Sequence, residues 1–316
     1  MTTFPEPPSD DYAMVYLENT DQELPEKLDQ NTRYAYFKTI AQGGKALIQS
    51  CKDLYLSRVI CYKTLRSEFA ENPIEQKRLL REARVGAMLQ HPNTVPTYEI
   101  GRDSRGHYYF TMKLVHGYTL REILDYRQRY DLKKLMNVLI QIGNALEYAH
   151  THRVIHRDIK PENILVGPYG EVLLLDWGLA KVWNPDGTSE DLPDDNSSGF
   201  NKKVSSFTDL DHLQGTICYM SPEQVGRDPD IDYRSDIYSM GAVLYEILAG
   251  QPPASGEMVE EVIDKIKNEM PAKPSSLSKA RVPELLEDLA MRCIMKSADD
   301  RLQSCAELVR HLEEDW

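Results

Sequence analysis

The run His156-Arg157-Asp158-Ile159-Lys160-Pro161-Glu162-Asn163, followed thirteen residues after Asn163 by Asp176-Trp177-Gly178, constrains this chain more than any other feature. It places two acids, a lysine and an asparagine so that one hairpin can present them together. In phosphoryl transfer a protein mainly positions groups and neutralises charge. Such a site needs an Asp for metal, an Asn for a second metal, and an Asp to orient the attacking hydroxyl. These residue types at these spacings supply all three. The competing reading of the same residues is a solvated polar loop between two strands.

Composition narrows the classes around that hairpin. At 316 residues the chain can bury one large core or two lobes. Apolar residues at 41% and charged residues at 28% suit a soluble globular protein. A formal charge of −13 argues against a phosphate-backbone surface, so no nucleic-acid partner is expected. Cys51, Cys61, Cys218, Cys293 and Cys305 are scattered and contain no C-x-x-C, which predicts a reduced, cytoplasmic setting without structural zinc. His150, His152 and His156 could suggest a metal cluster, but the hairpin motif absorbs His156. Met240–Leu248 and Val138–Leu146 are too short for a bilayer span, so no membrane segment is expected in this chain.

Residues 1–31, rich in Pro, Asp and Glu, read as a disordered acidic arm. From Thr32 short β-rich runs follow: Tyr34–Ala41, Ala46–Ser50, Arg58–Leu65, Val95–Arg102 and Tyr108–Leu114. One helix interrupts them. Asn72 caps it, Pro73 takes its first position, Glu75 makes a capping-box-like start, and it runs to about Leu89. Beyond Gly117 helices dominate. Thr119–Glu122 opens one, and Leu132–His152, Asp236–Ala249, Val259–Asn268, Pro283–Lys296 and Ala306–Glu314 follow, with Gly250 stopping the third of these. On the first helix Leu79, Glu82, Gly86 and Leu89 share a face by 3.6 periodicity. A carboxylate inside that apolar stripe wants a cation, and Lys63 on the preceding β-run is the natural partner.

The order H-R-D-x-K-x-x-N and then D-x-G resembles the catalytic and metal loops of eukaryotic-type protein kinases. Ile159–Val166, Met220-Ser221-Pro222-Glu223-Gln224 after Gly215-Thr216, and Leu174–Lys181 resemble the bacterial Hanks-type serine/threonine branch. The resemblance covers about residues 32–314. It implies an α+β, bilobal protein-kinase fold: a small β-rich N-lobe with one main helix (32–115) and a larger helical C-lobe (116–316). It implies Mg2+-dependent transfer from ATP to Ser/Thr hydroxyls of protein substrates, with Asp158 and Lys160 catalytic and Asn163 and Asp176 on the metal. ATP would meet Lys63, paired with Glu82, together with Ile40, Gly43, Ile48, Cys61, Met112, Lys113, Val115 and Leu165. Asp236 matches the helix acid that supports the catalytic loop, and Arg301 the arginine that pairs with Glu223.

Ala41-Gln42-Gly43-Gly44-Lys45-Ala46 stands where G-x-G-x-x-G belongs and keeps only the central glycine in place. Lys45 either turns toward the phosphates or is a solvated turn lysine. That departure keeps a second class open, a pseudokinase or nucleotide-binding scaffold, and a small-molecule phosphotransferase is a third. Arg157 would attract an activation-loop phosphate. The stretch from Asn184 to His212 carries seven acids against two lysines and reads as disordered before phosphorylation. Thr208, eight residues before Thr216, is the expected autophosphorylation site, with Ser205 and Ser206 secondary and a homodimer as the arrangement for transfer. Finally, the larger Trp177 in place of the usual Phe is expected to fill the space left by Gly86.

Overall fold

In the computed structural model, residues 17–24, 26, 29–126, 130–182 and 216–314 are described. They form two compact units. One holds the described residues up to Gly117 apart from 91–93; the other holds His91–Asn93 and the residues from Tyr118 onward. Thr208, Ser205, Ser206 and the whole stretch from Asn184 to His212 lie outside the described residues, as do residues 1–16 of the N-terminal arm.

The first unit begins with two single turns, α1 (Leu17–Thr20) and α2 (Gln30–Arg33). Five strands follow: β1 (Tyr34–Gln42), β2 (Ala46–Asp53), β3 (Arg58–Leu65), β4 (Thr97–Arg102) and β5 (Tyr108–Met112). They make one antiparallel sheet in the order β1-β2-β3-β5-β4. The run expected from Val95 starts two residues later as a strand. Pro96 has no N–H for a ladder, and its carbonyl instead accepts from Lys113 N–H at 3.0 Å.

Period-2 alternation gives the sheet two apolar faces. Cys51, Ile60, Tyr62 and Tyr109 cluster on one, with Tyr34 packed against them and the Tyr62 and Tyr109 rings stacked at 4.5 Å. Helix α3 (Pro73–Met88) covers the other, where Leu79 and Ala83 meet Phe110, Leu65, Tyr108 and Met112. Burial of side chains like Leu79 and Phe110 contributes about 1.5–3 kcal/mol each. Asn72 caps α3 as its sequence implies, accepting from Ile74 N–H at 2.9 Å and Glu75 N–H at 3.3 Å. Glu75 does not complete a capping box; its carboxylate is taken by Lys45 at 2.7 Å and Arg78 at 3.0 Å.

Gly86 faces β4. A Cβ there would lie 2.9 Å from Thr97 Oγ1 and 3.8 Å from the Val95 carbonyl. Close approach of helix and strand therefore explains the glycine from within this unit, without any need for a large aromatic side chain.

The second unit runs β6 (Tyr118–Thr119), α4 (Leu120–Asp125), α5 (Leu132–Thr151), β7 (Val154–Ile155), β8 (Ile164–Val166), β9 (Val172–Leu174) and β10 (Lys181–Val182). Helices α6 (Pro222–Gly226), α7 (Arg234–Ala249), α8 (Val259–Asn268), α9 (Pro274–Leu277), α10 (Glu284–Cys293) and α11 (Cys305–Glu314) complete it. Strands β6-β8-β9 form a small sheet, and β7 pairs with β10. Helix α7 is buried from Ser235 to Ala249 on every face, which explains its largely apolar sequence. It packs on α10 while α11 packs on α5. A Cβ on Gly241 would collide with Cys293 Cβ, so only glycine permits the α7–α10 approach. The helix stops at Gly250, which takes φ 83°.

All five cysteines are buried. Burial pushes the thiols of Cys51, Cys61 and Cys293 up to about 12 and that of Cys218 up to about 11. Among the described residues no helix is long and apolar enough to cross a membrane.

Candidate active site

The segment after β7 is held by one acid. Asp236, in the first turn of α7 and fully buried, accepts from the backbone N–H of His156 and of Arg157, each at 2.9 Å. His150 Nε2 lies 2.8 Å from the same carboxylate. Burial alone would raise Asp236. The hydrogen bond and charge of His150, with the charge and backbone bond of His156, outweigh it and hold the carboxyl below its ordinary value. The turn this acid stabilises is one the backbone resists: Arg157 takes φ 67°. Gln224 Nε2 donates to the Arg157 carbonyl at 2.8 Å, and Arg157 Nε donates to the Leu179 carbonyl at 2.7 Å.

That turn presents Asp158. Lys160 Nζ sits 3.0 Å from both Asp158 oxygens and also donates to Thr216 Oγ1 at 3.1 Å. Asn163 Nδ2 donates to Asp158 Oδ2 at 2.9 Å and to the Asp158 carbonyl at 2.8 Å. Burial raises the Asp158 carboxyl above its ordinary range; Lys160 opposes the rise and the charge of Asp176 adds to it. A one-turn helix, Pro161–Asn163, brings the asparagine back over the aspartate. The Asn163 carbonyl then accepts from Leu175 N–H at 2.8 Å, tying this turn to the one bearing Asp176. Asp176 is exposed, takes φ 60°, and accepts from Gly178 N–H at 3.2 Å. Trp177 is buried edge-on against His156 with ring centroids 4.5 Å apart, and its indole N–H has no partner among the described residues.

In the β-rich unit Lys63 Nζ bonds both Glu82 oxygens, at 2.6 and 2.8 Å. Register places the neighbours of this pair. Ile48 opposes Lys63, Cys61 opposes Met112, and Lys63 opposes Phe110, so Ile48, Cys61, Lys63 and Met112 share one sheet face. Ile40 falls in an irregularity of β1 and is half exposed. Lys113 is exposed and Val115 half-buried just past β5. Leu165, half-buried on β8, belongs to the other unit, paired with Leu173 and Thr119. Gly43 closes its turn by donating to the Ala46 carbonyl at 3.0 Å; neither it nor Gly44 needs a left-handed φ, and Gly44 has open space where a Cβ would lie.

Several participants escaped the sequence reading. Thr216 was visible only as part of a closing segment, yet it shares the Lys160 ammonium. Arg121, at the start of α4, forks onto Glu246 at 2.7 Å and Glu162 at 2.9 Å, and meets Tyr219. Glu246 hides in the apolar run of α7, and only its charge within that run signals a buried partner. The pair expected from the sequence is also present: Arg301 bonds both Glu223 oxygens at 2.6 and 2.7 Å. Burial would raise Glu223; the Arg301 hydrogen bonds and charge hold it below its ordinary value.

Among the described residues no three or more His, Cys, Asp or Glu side chains gather into a metal cage. The oxygen donors near the hairpin are Asp158, Asp176 and the Asn163 amide. That set suits Mg2+, which binds through one or two carboxylates and completes its shell with water and substrate phosphates.

Comparison with known proteins gives a consistent result. The protein kinase domain family matches residues 34–312. The chain is 35% identical over 298 residues to the serine/threonine-protein kinase PknD of Protochlamydia amoebophila, covering 90% of this chain and 30% of that protein. To the serine/threonine-protein kinase PknB of Mycobacterium tuberculosis it is 31% identical over 279 residues, covering 87% of this chain and 42% of that protein. PknB of Mycolicibacterium smegmatis is similar at 32% over 279 residues, with the same coverage. The chain thus spans less than half the length of these curated relatives.

Proposed function

We propose, from the premise that this chain belongs to the protein kinase domain family, that it transfers the ATP γ-phosphoryl group to Ser or Thr hydroxyls of protein substrates. The observation that carries this reading is the Asp158 carboxylate held between Lys160 Nζ and Asn163 Nδ2. A carboxylate so fixed can orient a hydroxyl and accept its proton. As the hydroxyl oxygen bonds to phosphorus, the bond to the β-phosphate bridging oxygen breaks, ADP leaves, and the proton passes through Asp158 to solvent. Lys160 neutralises the transferring phosphoryl group. Lys63, aligned by Glu82, binds nucleotide phosphates, and Ile48, Cys61 and Met112 offer apolar surface to adenine. Asp176 and Asn163 would hold Mg2+, which supplies charge neutralisation of the phosphates. Its removal by chelation should abolish transfer.

Incubation with labelled ATP, Mg2+ and a generic basic protein tests the reading. Asp158→Asn should lower turnover about 10²–10⁴-fold with an unchanged melting temperature; equal turnover in the variant would falsify the assignment. The same reaction, digested and mapped by mass spectrometry, should place phosphate on Thr208, with Ser205 and Ser206 secondary and Arg157 as the receiving guanidinium. Phosphate confined to residues 1–30 removes that part of the proposal.

A further inference from the structure

Helix α3 carries two buried-side carboxylates, Glu75 and Glu82, seven residues apart and therefore two turns along one face. Glu82 holds Lys63. Glu75 holds Lys45, at the tip of the turn where two of the three expected glycines are replaced, with Nζ 2.7 Å from Oε1. The Glu75 side chain is only 5% exposed, so its charge is shielded from water and depends on its partners, Lys45 and Arg78. The same turn is pinned from a second side. Arg66, just beyond β3, donates its backbone N–H to the Lys45 carbonyl at 2.9 Å and Nη1 to the Gly44 carbonyl at 3.1 Å.

We propose that Lys45 is a positioning residue: its bond to Glu75 clamps the 43–46 turn onto helix α3 and sets that turn for nucleotide phosphates in place of the missing glycines. The inference rests on the kinase reading above. One helix face then governs both the phosphate-facing turn and the Lys63 ammonium, so any shift of α3 moves them together. In this arrangement the Lys45 ammonium is held by Glu75 rather than left as a solvated turn lysine. Preorganising a turn lowers the ordering cost of binding, which appears in nucleotide affinity before it appears in turnover.

The test is equilibrium binding of ADP together with steady-state kinetics on Lys45→Ala, Glu75→Gln, the double variant and Lys45→Arg. Both single substitutions should weaken ADP binding and raise KM for ATP about 3–10-fold with kcat within about twofold. The double variant should be no worse than the weaker single, because the two side chains act through one bond. Lys45→Arg should bind as the parent does. A Glu75→Gln protein that binds nucleotide as well as or better than the parent, while Lys45→Ala binds worse, overturns the proposal in favour of direct phosphate contact. Unchanged binding in Lys45→Ala overturns it outright. Should Glu75→Gln fail to fold, the Lys45 pair of variants decides alone. Absence of transfer in the parent would count against the kinase reading only, since ADP binding still reports on the tie.

Discussion

Two turns carry the groups assigned to phosphate chemistry, and they are held by opposite means. The turn from His156 to Asn163 hangs on a single fully buried acid, Asp236, which collects two backbone N–H groups and a histidine. The turn from Gly43 to Ala46 has no such hub among the described residues and is fastened from outside by Glu75, which holds its Lys45, and by Arg66. A buried hub makes position and folding inseparable: remove it and polar groups are stranded in a low-dielectric interior. External ties are separable, each contributing modestly and each losable without unfolding. The first arrangement tolerates almost no sequence change. The second lets a glycine motif degrade while the turn keeps a defined place.

The sharpest way to break this contrast is Asp236→Asn. It sets an amide N–H2 against backbone donors, so stability should fall by about 3–5 kcal/mol and turnover with it. Denaturant titration beside kinetics checks this; a variant with parental stability and lowered turnover would show that position and folding are separable here too. Glu223→Gln tests the outer support of the same turn, because Gln224 on that helix turn bonds the Arg157 carbonyl. With Arg301 buried and unpaired, the variant should lose about 3 kcal/mol at neutral pH. The sign with acid follows from the depressed carboxyl. Its contribution is present above the unfolded value of about 4.3 and is lost as pH falls through the folded value. Parent and variant should therefore converge in stability as pH falls through that depressed folded value, and a gap that widens on acidification would refute the pairing. The smallest effect belongs to Arg66→Ala, which removes one exposed side-chain bond to the 43–46 turn. A loss of about 0.5–1 kcal/mol or less and a KM change under about twofold are expected, read by thermal melts and ATP titration.

What the sequence revealed follows the range of the forces involved. Caps are local: Asn72 and Thr119 each bond backbone groups within three residues, and both are legible without a structure. Period-2 runs placed the strands to within a few residues, and the misplaced start at Val95 traces to Pro96. The α+β class and kinase family were readable because the hairpin motif is dense and specific. Glu75 departs from the capping-box expectation because that chemistry is local, whereas one of its partners, Lys45, lies thirty residues earlier. Glu246 was invisible because helix α7 reads as apolar, while its counter-charge Arg121 stands 125 residues away. The neighbour that explains Gly86, Thr97, sits on a strand whose register no local pattern fixes.

The burial of every cysteine has a use outside function. A thiol with a pKa near 12 is about one part in 10⁵ thiolate at pH 7, so alkylating reagents should pass over the folded chain. Native thiols thereby become a clock for opening, since each reacts only as fast as its surroundings come apart. They also leave a silent background. A cysteine placed at Gly44, where open space lies beside the backbone, would be the single reactive handle on the molecule. A spin or fluorescent label there would watch the turn directly while the rest of the protein stays dark.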